Sequence, residues 1–167
     1  MAQITIGGTP TNTLGSLPLV GEKAPNFRLT RVDLSDATLA DFSGKKIILN
    51  IFPSIDTPIC SASVKRFNQE ASALASTEVL CISADLPFAH NRFCAAEGLE
   101  NVTPLSVLRG MNFKQEYGVG IAEGPLEGLL ARAIVVVDES GTVIYADFAK
   151  ELKEEPDYET VLAVLKG

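Results

Sequence analysis

The apolar residues of this chain follow two spacings, one typical of strands and one typical of helices. Dense runs of Val, Ile and Leu, as at 45–52 and 132–137, predict strands, and the run at 45–52 predicts a strand that is buried on both faces. Apolar residues three or four positions apart, as from Val64 to Leu74, predict an amphipathic helix that begins near Pro58. A hairpin is predicted between Ile4 and Leu14, and an edge strand at 27–32. The remaining predicted strands are at 78–83, 102–107 and 142–147. Further helices are predicted at 87–97, 111–117 and 158–165.

This order of elements predicts an α/β domain with a central mixed β-sheet flanked by helices. Gly98 is expected to end the second helix, and Pro104 is expected to interrupt the strand at 102–107. No internal repeat, low-complexity tract or linker divides the sequence. Residues 1–167 are therefore expected to form a single domain.

Charge and hydropathy argue against two classes of partner. The 167 residues carry 14 Lys and Arg against 21 Asp and Glu, a formal net charge of −7. No basic cluster is longer than two residues, so neither nucleic acid nor an anionic membrane is expected to bind. No apolar run approaches the roughly 18 residues that a membrane-spanning helix needs. Because the N-terminus also lacks the pattern of a secretory signal, the expected location is the cytoplasm.

The three cysteines and the single histidine do not form a metal-binding pattern. Cys60, Cys81 and Cys94 are far apart in sequence, without a Cys-x-x-Cys pair. A zinc site is therefore not expected. Cysteines in intracellular proteins are free, inert or catalytic more often than they are structural disulfides.

Cys60 is predicted to lie in the first turn of the helix that follows Pro58. Thr57 is a suitable N-cap residue and Pro58 a suitable first helical residue, which makes Cys60 the third. Free backbone N–H groups and the positive end of the helix dipole should favour a thiolate there. The alternative is that Cys60 is a small, inert apolar residue at a helix start.

The other candidate residues have ordinary structural interpretations. Cys81 lies within a predicted buried strand and is interpreted as an inert core thiol, and Cys94 is interpreted as a packing residue of the second helix. Arg132 is expected at a solvated strand end or in a surface ion pair. His90 is expected on the exposed side of its helix. The acidic residues assigned to turns and strand ends are Asp85, Asp138 and Asp147.

The pattern Pro53-x-x-x-Thr57-x-x-Cys60 resembles the active-site signature of the peroxiredoxins. With the segment 82–88, Arg92-Phe-Cys94 and the Gly-Leu-Leu-Ala-Arg132 stretch, the chain is similar to the bacterial thiol peroxidase subfamily from its N-terminal hairpin to its last helix. A bare Thr-x-x-Cys would carry little information. The ordered set is much more specific.

The resemblance implies a thioredoxin-like fold with an added N-terminal β-hairpin, assembled as a homodimer. Cys60 would be the peroxidatic cysteine and Cys94 the resolving cysteine, joined by a Cys60–Cys94 disulfide within one chain. Thr57 and Arg132 would hold the thiolate and the peroxide, and Pro53 would shield the pocket from water. The implied substrates are hydrogen peroxide and alkyl hydroperoxides, the implied reductant is thioredoxin, and no cofactor or metal is required.

Other functions remain to be weighed against this one. A thioredoxin-like disulfide reductase would need a second cysteine at the position of Thr57. A non-enzymatic sensor would instead bind a partner according to the redox state of Cys60 and Cys94. Three apolar residues near the signature, Phe52, Ile55 and Ile59, favour organic hydroperoxides as substrates.

Overall fold

The structure, a computed structural model, describes residues 1–166. The strands are β1 (Gln3–Ile6), β2 (Thr9–Asn12), β3 (Arg28–Thr30), β4 (Asp36–Thr38), β5 (Lys46–Ile51), β6 (Thr77–Ser83), β7 (Thr103–Ser106), β8 (Ala133–Val137) and β9 (Val143–Phe148). The helices are α1 (Pro58–Ala71), α2 (Pro87–Glu97), α3 (Phe113–Glu116) and α4 (Tyr158–Lys166), with a short 3₁₀ helix at Leu39–Phe42.

Seven strands form one mixed sheet in the order β4-β3-β7-β6-β5-β8-β9. The pairs β5–β6 and β6–β7 are parallel, and the remaining pairs are antiparallel. β1 and β2 form a separate antiparallel hairpin. The predicted mixed α/β architecture and the N-terminal hairpin are therefore confirmed.

The central strands separate two apolar cores. Successive side chains of a strand point to opposite faces, and in β5 Ile47, Leu49 and Ile51 pack in one core. Ile48 packs on the opposite face, in the core to which α1 and α4 contribute. Cys60 of α1 lies in this second core. The run of buried residues in β5 thus matches the expectation of a strand covered on both sides.

Two helix boundaries follow from the local residues as predicted. α1 begins after Thr57, whose backbone is extended, and its first residue is Pro58. α2 ends before Gly98, which adopts a left-handed conformation with φ of 65° that glycine accepts at little cost.

Within residues 1–166, no helix is both long enough and apolar enough to cross a membrane.

The prediction for the region around β3 is wrong in two respects. β3 is not an edge strand, because β4 pairs with its outer side. Pro104 does not interrupt β7, because β3 pairs with β7 only at Thr30 and Ser106 and leaves the adjoining stretch open on that side. A proline is tolerated where its missing N–H would have had no partner strand. β4 itself was not predicted, since three residues are too few to establish a period.

Candidate active site

Cys60 lies in the first turn of α1, as predicted, and its thiol is fully buried. The first backbone hydrogen bond of this turn runs from the N–H of Ser61 to the carbonyl of Thr57, at 3.0 Å. The preceding N–H groups have no partner within the helix, and they form the positive end of its dipole. The local backbone therefore favours negative charge at Cys60.

The guanidinium of Arg132 is buried beside this thiol. Its Nη2 lies 3.4 Å from Cys60 Sγ. Nε and Nη2 both donate to the carbonyl of Leu152 at 3.0 Å, which fixes the plane of the group. Nη1 is buried without a hydrogen-bond partner in the part of the chain that the structure describes. The expectation of a solvated strand end or surface ion pair at Arg132 is wrong, because the residue just before β8 points into the core toward α1.

An apolar cleft of about 400 Å³ lies beside Arg132, and the fully buried Cys60 is not among its lining residues. Pro53, Thr57 and Arg132 all line it, so the structure brings three of the predicted site residues to one cleft. Most of the other walls are apolar side chains from distant parts of the chain. The remaining lining residues are Ile6, Ser54, Pro58, Ile59, Leu126, Leu129, Leu152 and Lys153.

Only one of the three apolar residues near the signature lines this cleft. Ile59 does so, whereas Phe52 and Ile55 are buried in the core beneath α1. The sequence reasoning missed Leu126 and Leu129, because no periodic signal marks an irregular loop as the wall of a pocket. A short apolar pair just before Arg132 was the available signal.

Thr57 does not cap α1 with its side chain. Its Oγ1 donates instead to the backbone carbonyl of Ser54 at 2.9 Å. This bond holds the hydroxyl at the mouth of the cleft, where its oxygen can still accept a hydrogen bond. Pro53 is buried at the start of the same loop.

The other two thiols lie in different surroundings, and all three cysteines are free. Burial raises the pKa of Cys81 to about 12, opposed by a hydrogen bond from Asn50 Nδ2 at 3.8 Å. Cys94 is half-buried on α2, and burial raises its pKa as well. None of the three thiols lines the cleft, but Cys60 lies 3.4 Å from Arg132, which does. The structure therefore brings together Pro53, Thr57, Cys60 and Arg132, and leaves Cys94 outside this group.

The expectation of an exposed His90 is wrong. The side chain is 1% exposed, and its Nε2 lies 2.8 Å from Ser83 Oγ. Burial lowers its pKa, although the nearby Asp85 opposes this shift. α2 lacks a clear apolar face, so the spacing of its residues did not indicate which side would pack. Among residues 1–166, no group of three or more His, Cys, Asp or Glu side chains is placed to bind a metal.

Comparison with known proteins places this geometry in a family. The Redoxin family model matches residues 19–162. Thiol peroxidases of Mycobacterium bovis and Mycobacterium tuberculosis are 53% identical to the chain over 165 residues, which is 99% of each chain. The chain belongs to the Redoxin family, among the thiol peroxidases. Family membership confirms that it is an enzyme of the peroxiredoxin type.

Two solved structures that are similar to the chain support the same assignment. A peroxiredoxin-like protein from Aquifex aeolicus is 34% identical, with a TM-score of 0.94 over 99% of this chain and 96% of that one. A thiol peroxidase from Chromobacterium violaceum is 26% identical, with a TM-score of 0.89 over 98% and 95%. The predicted thioredoxin-like fold with an added N-terminal hairpin is thereby confirmed.

Proposed function

We propose that the chain reduces hydroperoxides with Cys60 as the peroxidatic cysteine. The observation that carries this proposal is the Arg132 guanidinium 3.4 Å from Cys60 Sγ at an apolar cleft. A cation in a site that excludes water stabilises a thiolate far more than it would at the surface. The half-buried thiol of Cys94 has no such neighbour in the hydrogen bonds of residues 1–166.

In the first step, the thiolate of Cys60 attacks one oxygen of the hydroperoxide. The S–O bond forms as the O–O bond breaks, which gives a sulfenic acid on Cys60 and an alcohol or water after protonation of the leaving oxygen. Negative charge grows on that oxygen. Arg132 Nη1, which is buried without a partner in the described chain, is available to donate to it. Thr57 Oγ1 and the N–H groups of the first turn of α1 would orient the peroxide, and Pro53 would keep water from the thiolate.

The walls of the cleft favour organic hydroperoxides over hydrogen peroxide. The side chains of Ile6, Ile59, Leu126, Leu129 and Leu152 offer an apolar surface to an alkyl or aryl group. Hydrogen peroxide would react at the same thiol without that contribution to binding. The preference should therefore appear mainly in KM rather than in kcat.

In the second step, Cys94 would resolve the sulfenic acid. Its thiolate attacks Cys60 sulfur, the S–O bond breaks, and water leaves after proton transfer. A disulfide needs Cα atoms about 5.5 Å apart, whereas Cys60 and Cys94 belong to different helices. We therefore expect α1 or α2, or both, to open locally before the bond forms.

Thioredoxin would return the pair to the dithiol state by thiol–disulfide exchange and would itself become oxidised. This reductant and the homodimer stay predictions from the resemblance, and the cytoplasmic location stays a prediction from the sequence. The enzyme would serve antioxidant defence. No cofactor is required by these steps, because the two electrons come from the thiols.

The test is NADPH oxidation coupled through thioredoxin reductase and thioredoxin, with hydrogen peroxide and cumene hydroperoxide in parallel. Cys60→Ser should abolish turnover. Cys94→Ser should consume one equivalent of peroxide and then stop. Normal turnover of either variant, or a lack of peroxide consumption by the wild type, would contradict the assignment.

A further inference from the structure

The carboxylate of Asp85 joins the catalytic loop, residues 53–57, to the end of β6. Its Oδ1 accepts a hydrogen bond from Ser54 Oγ at 2.8 Å, and its Oδ2 accepts one from the backbone N–H of Ile55 at 2.7 Å. Oδ2 also accepts from Ser83 Oγ at 2.6 Å. The carboxylate is only 12% exposed, and hydrogen bonds to a charged acceptor are stronger than neutral ones. Asp85 therefore holds the catalytic loop in place against the end of β6.

The same network continues into α2 through His90. A serine hydroxyl has one hydrogen, and Ser83 donates it to Asp85, so Ser83 Oγ must accept from Nε2–H of His90. His90 therefore carries a hydrogen on Nε2, and a charged ring would leave a second N–H at Nδ1, which is buried without a hydrogen-bond partner among residues 1–166. The direction of donation is thus from His90 to Ser83 to Asp85.

Pro87 and His90 are the buried residues of α2. Its other contacts are only partly buried or exposed, such as Phe93 against the core and the ion pair between Glu97 and Lys65 of α1 at 3.2 Å. Its ion pair to the catalytic loop, from Arg92 to Asp56 at 3.2 Å, is exposed and should contribute little. Cys94 lies four residues after His90, which is one turn further along the same side of the helix. The contact that holds His90 therefore also holds the turn that carries Cys94.

We propose that Asp85 is a positioning residue that couples the two half-reactions, and that His90 is the latch that keeps α2 closed. This proposal rests on the proposed roles of Cys60 and Cys94. While the network is intact, the catalytic loop is ordered for peroxide attack and α2 is folded against the sheet. When the bond between His90 and Ser83 breaks, α2 is free to unwind and to bring Cys94 to the sulfenic acid.

The two positions should affect different steps. His90→Leu keeps a side chain of similar size and removes the N–H donor. Disulfide formation should therefore accelerate about two- to tenfold, which corresponds to the net free energy of one hydrogen bond. Peroxide attack should stay within about twofold of the wild-type rate. Asp85→Asn loses the charge and one acceptor, so it should slow peroxide attack about tenfold and also accelerate disulfide formation.

The two rates are measured by rapid quench and intact-mass spectrometry, which separates the reduced, sulfenic acid and disulfide forms. Peroxide attack is followed in the Cys94→Ser background, and disulfide formation in the background with both cysteines. His90→Gln, which keeps a side-chain N–H, should restore a disulfide rate close to that of the wild type. Arg92→Ala removes the exposed ion pair between the same two segments and should change neither rate.

Equal disulfide rates in His90→Leu and the wild type, or an unchanged peroxide rate in Asp85→Asn, would overturn the proposal. So would a His90→Gln variant as fast as His90→Leu. If His90→Leu fails to fold, Asp85→Asn and His90→Gln still decide the matter. Failure of the proposed function would look different, because wild-type protein would then form no Cys60–Cys94 disulfide at all.

Discussion

Cys60, in the first turn of α1, and Cys94, in α2, lie in different surroundings. Their exposure to solvent does not suggest this difference. Cys60 is fully buried, with a guanidinium 3.4 Å from its sulfur and the free N–H groups of a helix start around it. Cys94 is half-buried, and burial raises its pKa. The less exposed thiol therefore lies in the surroundings that favour the thiolate.

The difference indicates that charge and dipoles, rather than access to solvent, distinguish Cys60, the proposed nucleophile, from Cys94, the proposed resolving thiol. Cys81 supports this interpretation, since it is as buried as Cys60 but has only a weak amide contact from Asn50. Burial without a cation raises its pKa to about 12. Cys60 differs from Cys81 in having a guanidinium 3.4 Å from its sulfur.

Removing the positive charge of Arg132 should leave Cys60, like Cys94, without a cationic neighbour in the hydrogen bonds of residues 1–166. Arg132→Met keeps much of the side-chain volume and removes the charge, and it should slow peroxide attack about 10²- to 10³-fold. Arg132→Lys should recover part of the rate, because a lysine keeps the charge but cannot bind both Leu152 O and the thiolate in one plane. Stopped-flow peroxide reduction measures both. A rate for Arg132→Met within twofold of the wild type would contradict the comparison.

The hydroxyl of Thr57 should add orientation to the effect of charge. Thr57→Val is nearly isosteric and removes the hydrogen bond to Ser54 O, so peroxide attack should slow about tenfold. Thr57→Ser keeps the hydroxyl and should retain most of the rate. Peroxide kinetics of the two variants side by side give the answer, and equal rates would remove the hydroxyl from the mechanism.

Truncation of Cys81 tests whether this buried thiol takes part in the reaction. Cys81→Ala should turn over at a rate close to that of the wild type, while the free energy of unfolding falls by ~1 kcal/mol from the lost packing. The coupled assay and urea denaturation measure the two effects. A large loss of turnover in a stably folded Cys81→Ala would show that this thiol takes part in the reaction.

The smallest expected effect concerns the hairpin that supports the Arg132 contact. Glu151 accepts from Thr5 Oγ1 and from the N–H groups of Gly7 and Gly8, and these bonds lower its pKa to about 2. A depressed carboxyl pKa contributes stability above the pKa of the unfolded chain, and this contribution is lost as the pH falls toward the folded value. Glu151→Gln should therefore lower Tm most above about pH 5 and progressively less between pH 5 and pH 2.

Thermal unfolding of Glu151→Gln and wild type across this range checks the prediction. Leu152 links the hairpin to the site, because its N–H donates to Thr5 O and its carbonyl accepts from Arg132. A Tm difference that does not change with pH would mean that the charge of Glu151 does not hold the hairpin.

Much of the fold could be predicted because its elements are long and strongly patterned. The dense apolar runs of β5 and β8, and the Thr57-Pro58 start of α1, each determine structure locally. β4 and its neighbour β3 have three residues each, and their pairing depends on contacts distant in sequence. Position in the sheet could not be read from such short segments.

Part of the candidate site could likewise be predicted from the sequence, and part could not. The position of Cys60 at a helix start followed from adjacent residues, and the family resemblance pointed to Arg132. Its burial beside the thiol did not follow from local pattern, because an arginine before an apolar strand is usually solvated. The buried His90 was missed for a related reason, since its polar partner Ser83 lies on another element.

The most direct test compares the two thiols in otherwise identical proteins. The rate constant of hydrogen peroxide with Cys60 is measured in Cys94→Ser, and that with Cys94 is measured in Cys60→Ser, both at neutral pH with the sulfenic acid trapped and located by peptide mass spectrometry. The fully buried Cys60 should react more than about 100-fold faster than the half-buried Cys94. Comparable rate constants, or a faster Cys94, would show that exposure rather than the buried charge of Arg132 governs which thiol reacts.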